Sequence, residues 1–117
     1  MTRSYPAVVA KTAAYTIKPP MDRDGTLFTN RGATGAVTFT LPAPSEALRG
    51  YVYHFEVVAD QTVTVAGTTI LTSNNAAAAS LSAQTGGQKI GAIIEAICDG
   101  TQWAVVGIAA GHTFTVA

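Results

Sequence analysis

The groups of this chain able to do chemistry are few: seven carboxylates, two histidines and one cysteine in 117 residues. Acid–base catalysis needs a carboxylate or imidazole held beside a group that tunes it, and four of the acids have local work instead. Asp22, Asp24, Asp60 and Asp99 each stand next to a turn residue or at an expected strand end, where aspartate accepts hydrogen bonds from nearby backbone amides. Glu56 and Glu95 fall on strand faces and could meet as a carboxylate pair, the arrangement glycoside hydrolysis uses. No flanking histidine, serine elbow or metal-ligand spacing is read as supporting acid–base work by them. His54 lies on the strand face opposite an aromatic stripe and His112 in a glycine-rich turn, so both read as structural. Cys98, among isoleucines on a strand, reads as a buried and inert thiol. Gly32-Ala33-Thr34-Gly35 lacks the lysine and helix that a phosphate-cradling loop requires. Tyr51 and Tyr53 could form a sugar or base platform, but their alternation assigns them to a core. The reading is therefore of a non-enzyme with no catalytic residue, no metal ligand and no cofactor.

The elements holding these residues are strands. Val37, Phe39 and Leu41 alternate with Ala36, Thr38 and Thr40 after the turn Asn30-Arg31-Gly32-Ala33, and Pro42 stops the ladder. Tyr51, Tyr53, Phe55 and Val57 alternate with Val52, His54, Glu56 and Val58. Further strands are expected at Ala14–Ile17, ended by Pro19-Pro20, and at Thr26–Thr29 after Asp24-Gly25. Thr62–Val65 and Thr69–Leu71 read as two short strands of a meander parted by Gly67. Ser73–Ser80, rich in alanine, reads as a surface loop. Lys89–Cys98 carries isoleucine on both faces, so it should be central or covered on two sides. Asp99-Gly100 turns it into Gln102–Val106, with Trp103 facing inward, and Thr113–Val116 is a last strand. No stretch of comparable length has a helical period. The expectation is all-β: one antiparallel β-sandwich or barrel, jelly-roll-like, over residues 13–117. Its core should hold Val37, Phe39, Leu41, Tyr53, Phe55, Val63, Ile94, Trp103 and Val105.

Composition narrows the class further. Hydrophobic residues make up 48% and charged residues 12%, with seven cations balancing seven acids. That balance lacks the basic footprint of a nucleic-acid binder. One cysteine excludes an internal disulfide. Ala7-Val8-Val9-Ala10 is too short for a signal core or membrane span, so a soluble protein made in the cytoplasm, with no membrane partner, is expected. Few charges and positive mean hydropathy suit a subunit better than a lone monomer.

The stretch Asn30–Pro42, with Tyr15-Thr16-Ile17 before it and Asp99-Gly100-Thr101-Gln102-Trp103 after it, resembles small all-β virion proteins of tailed bacteriophages. The resemblance runs from roughly Lys11 to the C-terminus. Such proteins occur as capsid-associated decoration, or cement, proteins and as modules of tail fibres. The resemblance implies a homo-oligomer, by analogy a homotrimer, that binds the major capsid protein at capsomer junctions on the outside of the assembled head. The alternative it implies is a tail fibre or spike module that binds a receptor or glycan. Residues 1–12, with cations and no acids, read as an extended arm that packs on another chain, and the capsid-contact residues expected there are Arg3, Tyr5, Val8, Val9 and Lys11.

Overall fold

The computed structural model describes residues 5–72, 75–83, 90–108 and 114–117. Ten strands run through them: β1 (Val8–Ala10), β2 (Tyr15–Thr16), β3 (Leu27–Thr29), β4 (Val37–Thr40), β5 (Val52–Glu56), β6 (Val63–Thr72), β7 (Asn75–Ala83), β8 (Ile93–Cys98), β9 (Trp103–Ile108) and β10 (Phe114–Val116). One 3-10 turn, Glu46–Leu48, precedes β5. The strands form one curled, open sheet in the order β1-β3-β5-β8-β9-β6-β4-β2, and β6 carries β7 and then β10 on its other side. The chain is thus all-β, as its alternation predicts, and the sheet stays open at β1 and β2.

The expected antiparallel arrangement is corrected by the pairing. β1–β3, β3–β5, β2–β4, β4–β6 and β6–β9 are parallel, and β5–β8, β8–β9, β6–β7 and β7–β10 are antiparallel. The reason lies in how the chain winds. Its first six strands alternate between two wings of the sheet, β1, β3 and β5 in one and β2, β4 and β6 in the other, so each strand lands parallel to the one two before it. The connections crossing between wings are irregular loops where parallel sheets usually use helices, and an alternating pattern says nothing about strand direction.

Side-chain alternation places the core as expected. All nine of the residues assigned to it are at most 4% exposed. Its centre is Phe28 of β3, with ring centroids 5.4 Å from Phe39, 5.6 Å from Phe55, 5.9 Å from Tyr53 and 5.9 Å from Tyr15. Phe28 and Phe55 come from one wing and Phe39 and Tyr15 from the other, so the aromatic cluster joins the wings. Trp103 adds a tie, donating from Nε1 to the Pro42 carbonyl at 2.8 Å. Cys98 is buried, as expected.

Two segments differ from expectation. The two short strands around Gly67 are one, β6, whose register shifts between Ala66 and Ile70; a side chain at Gly67 would meet Ile70 Cγ2 at 2.9 Å. The alanine-rich segment read as a loop supplies β7, with Ala78, Leu81 and Ala83 buried. Small residues give no hydrophobic period, and the strand is specified by its partner. Val63, Thr64, Val65 and Ala66 pair with Ala83, Ser82, Leu81 and Ser80, and the Thr64 and Ser82 hydroxyls hydrogen-bond at 2.8 Å. The first two residues of that reading, Ser73 and Asn74, lie outside the described residues.

Candidate interaction surface

The turn that opens the most regular strand is held by Asn30. This side chain is fully buried, and its carboxamide replaces backbone partners for the loop after β5. Oδ1 accepts from Val58 N at 2.8 Å and Ala59 N at 2.9 Å, while Nδ2 donates to the Ala59 carbonyl at 3.0 Å. Gly32 then takes a φ of 86°, a conformation that favours glycine. The expected local role is visible for Asp22 and Asp99, whereas Asp24 bonds an amide distant in sequence, on β5. Asp22 Oδ2 accepts from Lys18 N at 2.7 Å and from the Tyr15 hydroxyl at 2.6 Å; Asp24 accepts from Val52 N at 2.8 Å; Asp99 accepts from Thr101 N and Gln102 N. These two amide bonds hold the Asp99 carboxyl below the usual carboxylate range. The hydrogen bond to Asp22, with lesser contributions from burial and the nearby negative charge, pushes the Tyr15 hydroxyl up to about 12. Burial, and then the charge of Asp22, raises Tyr53 as well, whose hydroxyl donates to the Asp22 carbonyl at 2.7 Å.

The four expected contact residues that are described, Tyr5, Val8, Val9 and Lys11, do not form one cluster. Arg3 lies outside the described residues, as does His112. Tyr5 lies edge-on to His54, ring centroids 5.4 Å apart. Val8 is 64% exposed, whereas Val9 points inward against the core. Lys11 places its ammonium 3.8 Å over the Tyr15 ring, a cation–π contact. The segment around them is built into its own sheet: the Ala7 carbonyl accepts from Leu27 N, β1 pairs with β3, and Lys11 N donates to the Thr29 carbonyl. Pro6 packs on Gly25, where a side chain would meet its Cδ at 3.1 Å.

The carboxylate pairing considered for Glu56 and Glu95 is replaced by another. Across β5–β8, Glu95 stands opposite His54 and Glu56 opposite Ile93, and His54 Nε2 hydrogen-bonds Glu95 Oε2 at 2.8 Å. His54 is buried under Tyr5, and its Nδ1 has no hydrogen-bond partner. The arrangement fixes one ring nitrogen and offers no second acid. Among the described residues, no three His, Cys, Asp or Glu side chains gather as metal ligands, and no helix is long and apolar enough to cross a membrane.

Around this pair lies a surface that the sequence reading did not single out. Cross-strand registers align the outward side chains of the β1-β3-β5-β8-β9 wing in three rows. One is Val8, Leu27, His54, Glu95 and Val106; the second is Val52, Ile97, Ala104 and then Leu71 of β6; the third is Ala10, Thr29, Glu56, Ile93 and Ile108. Five of the eight exposed large hydrophobic residues among those described, Val8, Leu71, Ile97, Val106 and Ile108, belong to it. At its rim an apolar cavity of about 480 Å³ is lined by Thr72, Leu81, Val106, Gly107, Phe114 and Val116. Gly107 admits the Phe114 ring, since a side chain there would fall 2.6 Å from it. The signal for this surface was present in the two-faced isoleucines of Lys89–Cys98; what it lacked was the register that aligns them with β5 and β9. No protein-family profile matches the chain, and no curated protein matches it.

Proposed function

We propose that this protein is a bacteriophage capsid decoration protein, a non-enzymatic subunit that attaches to the outside of an assembled head and stabilises it. The observation that carries the reading is the likeness of the Asn30–Pro42 turn and strand to those of small phage virion proteins. The buried carboxamide of Asn30 gives the first residue of that motif a physical role: it ties the start of the turn to the loop after β5. On this reading the two wings facing each other across Phe28, Phe39 and Phe55 are a jelly-roll-like sandwich, and the working form is a homo-oligomer, a trimer by analogy. The capsid-facing edge is the N-terminal segment, where Val8 is exposed and β1 has a partner on one side only among the described residues. Because such a subunit binds the assembled lattice and not the free capsid protein, its binding free energy adds to the stability of the assembled state. No bond is made or broken.

The test is co-sedimentation of the purified chain with empty mature heads of the virus that encodes it, with its unexpanded heads as the comparison. Saturable binding to mature heads, with a raised disruption temperature, is expected. Failure to bind, together with binding of the isolated chain on a glycan array, overturns the reading in favour of a tail fibre or spike module.

A further inference from the structure

The central strand β8 has isoleucines on both sides, and among the described residues only one side is fully covered. Ile94 and Ala96 are fully buried, whereas Ile97 is 37% exposed on the outer side, beside Val106 at 43% and Ile108 at 51%. Scattered exposed apolar residues are ordinary, but a contiguous patch marks an interaction surface. We infer that this outer face, centred on β8 and β9, is covered by a second copy of the same chain.

Charge and area both point to that occupant. The three rows contain no lysine or arginine, so a nucleic acid or anionic lipid surface has nothing to pair with. Of the two acids in the rows, Glu95 is already engaged by His54. Its partner must therefore be nearly uncharged and apolar, and the chain itself has zero formal net charge and an open apolar face. The rows hold fourteen positions, of which Thr29 and His54 are buried; the other twelve, spaced about 4.8 Å across and about 6.8 Å along the strands, span about 400 Å² before side-chain relief is counted. A stable interface takes about 800 Å² of accessible surface from each partner, about half of which this face supplies. Two such faces pack as sheets do, about 10 Å apart, with side chains interdigitating.

The inference shares the oligomeric state with the proposed function and does not depend on capsid binding. Sedimentation velocity of the full chain should show an oligomer. The double variant Val106→Asp, Ile108→Asp should sediment as a monomer with an unchanged far-UV spectrum, while Thr40→Arg, exposed on β4 of the other wing, should remain associated. A wild-type monomer, or a double variant that keeps the wild-type mass, overturns the inference. Should the double variant fail to fold, Val106→Cys gives an independent answer, because Cys98 is buried. A short bismaleimide should join copies through position 106, and associated protein that yields no cross-link overturns the inference. Intact association with no binding to heads would overturn the decoration reading alone.

Discussion

The two faces of the β1-β3-β5-β8-β9 wing differ in what closes them. The inner face carries Phe28, Tyr53, Phe55, Ile94, Trp103 and Val105, each at most 1% exposed, and the other wing of the same chain covers it. The outer face carries Val8, Leu27, Ile93, Ile97, Val106 and Ile108 around one His–Glu pair, and among the described residues only Tyr5 is seen to lie over that pair. Both faces are apolar, yet the inner one holds a connected cluster of aromatic rings, whereas the outer one holds the single Tyr5–His54 pair. The difference teaches that the aromatic residues specify the fold, while the aliphatic residues of the outer face are left for association.

The largest effect should come from the inner face. Phe28 touches four aromatic rings across both wings, so Phe28→Ala should destabilise the fold by about 3–5 kcal/mol, read from chemical denaturation. Phe39→Ala, which removes the facing ring, should fall in the same range. Smaller but still substantial is the loss of the Asn30 clamp. Asn30→Ala strands two amides and a carbonyl in the β5–β6 loop, and a cost of about 2–3 kcal/mol is expected, since one unmet buried group costs about 1–3 kcal/mol. A neutral Asn30→Ala variant would mean the loop finds other partners.

The inner face was legible in the sequence because alternation with a period of two is a local property. Val37, Phe39, Tyr53, Phe55 and Trp103 could each be assigned inward from neighbours alone, and Asp99-Gly100 marked a true hairpin. What failed to show was non-local. Phe28 sits in a three-residue strand too short to declare a face. The parallel winding depends on loops that cross between wings, and β7 owes its strand form to pairing with β6. The His54–Glu95 pair needed the β5–β8 register, as did the apolar rows on the outer face; individual residues were readable, their juxtaposition was not.

A third effect belongs to pH. The fold favours the neutral Tyr15 hydroxyl, which donates to Asp22 and has its pKa raised from 10.0 to about 12. The stability this contributes is complete below pH 10 and is lost as pH rises toward about 12. Alkaline melts should therefore show a decline across that window that Tyr15→Phe makes shallower, the part that remains coming from Tyr53, whose hydroxyl is raised as well. The smallest effects are expected on the outer face. Glu95→Gln keeps a hydrogen-bonding side chain opposite His54 and should change stability by under about 1 kcal/mol. Val106→Ser, at an exposed position, should alter the stability of the separated chain by no more than about 0.5 kcal/mol while weakening association.

The most direct test of the difference between the faces is carbene footprinting of the unmodified chain across a dilution series. The account predicts that Phe28, Tyr53 and Trp103 stay unlabelled at every concentration, while Ile97, Val106 and Ile108 gain label as copies separate. Outer-face labelling that is equally strong at all concentrations, in a sample whose mass shows association, would contradict it.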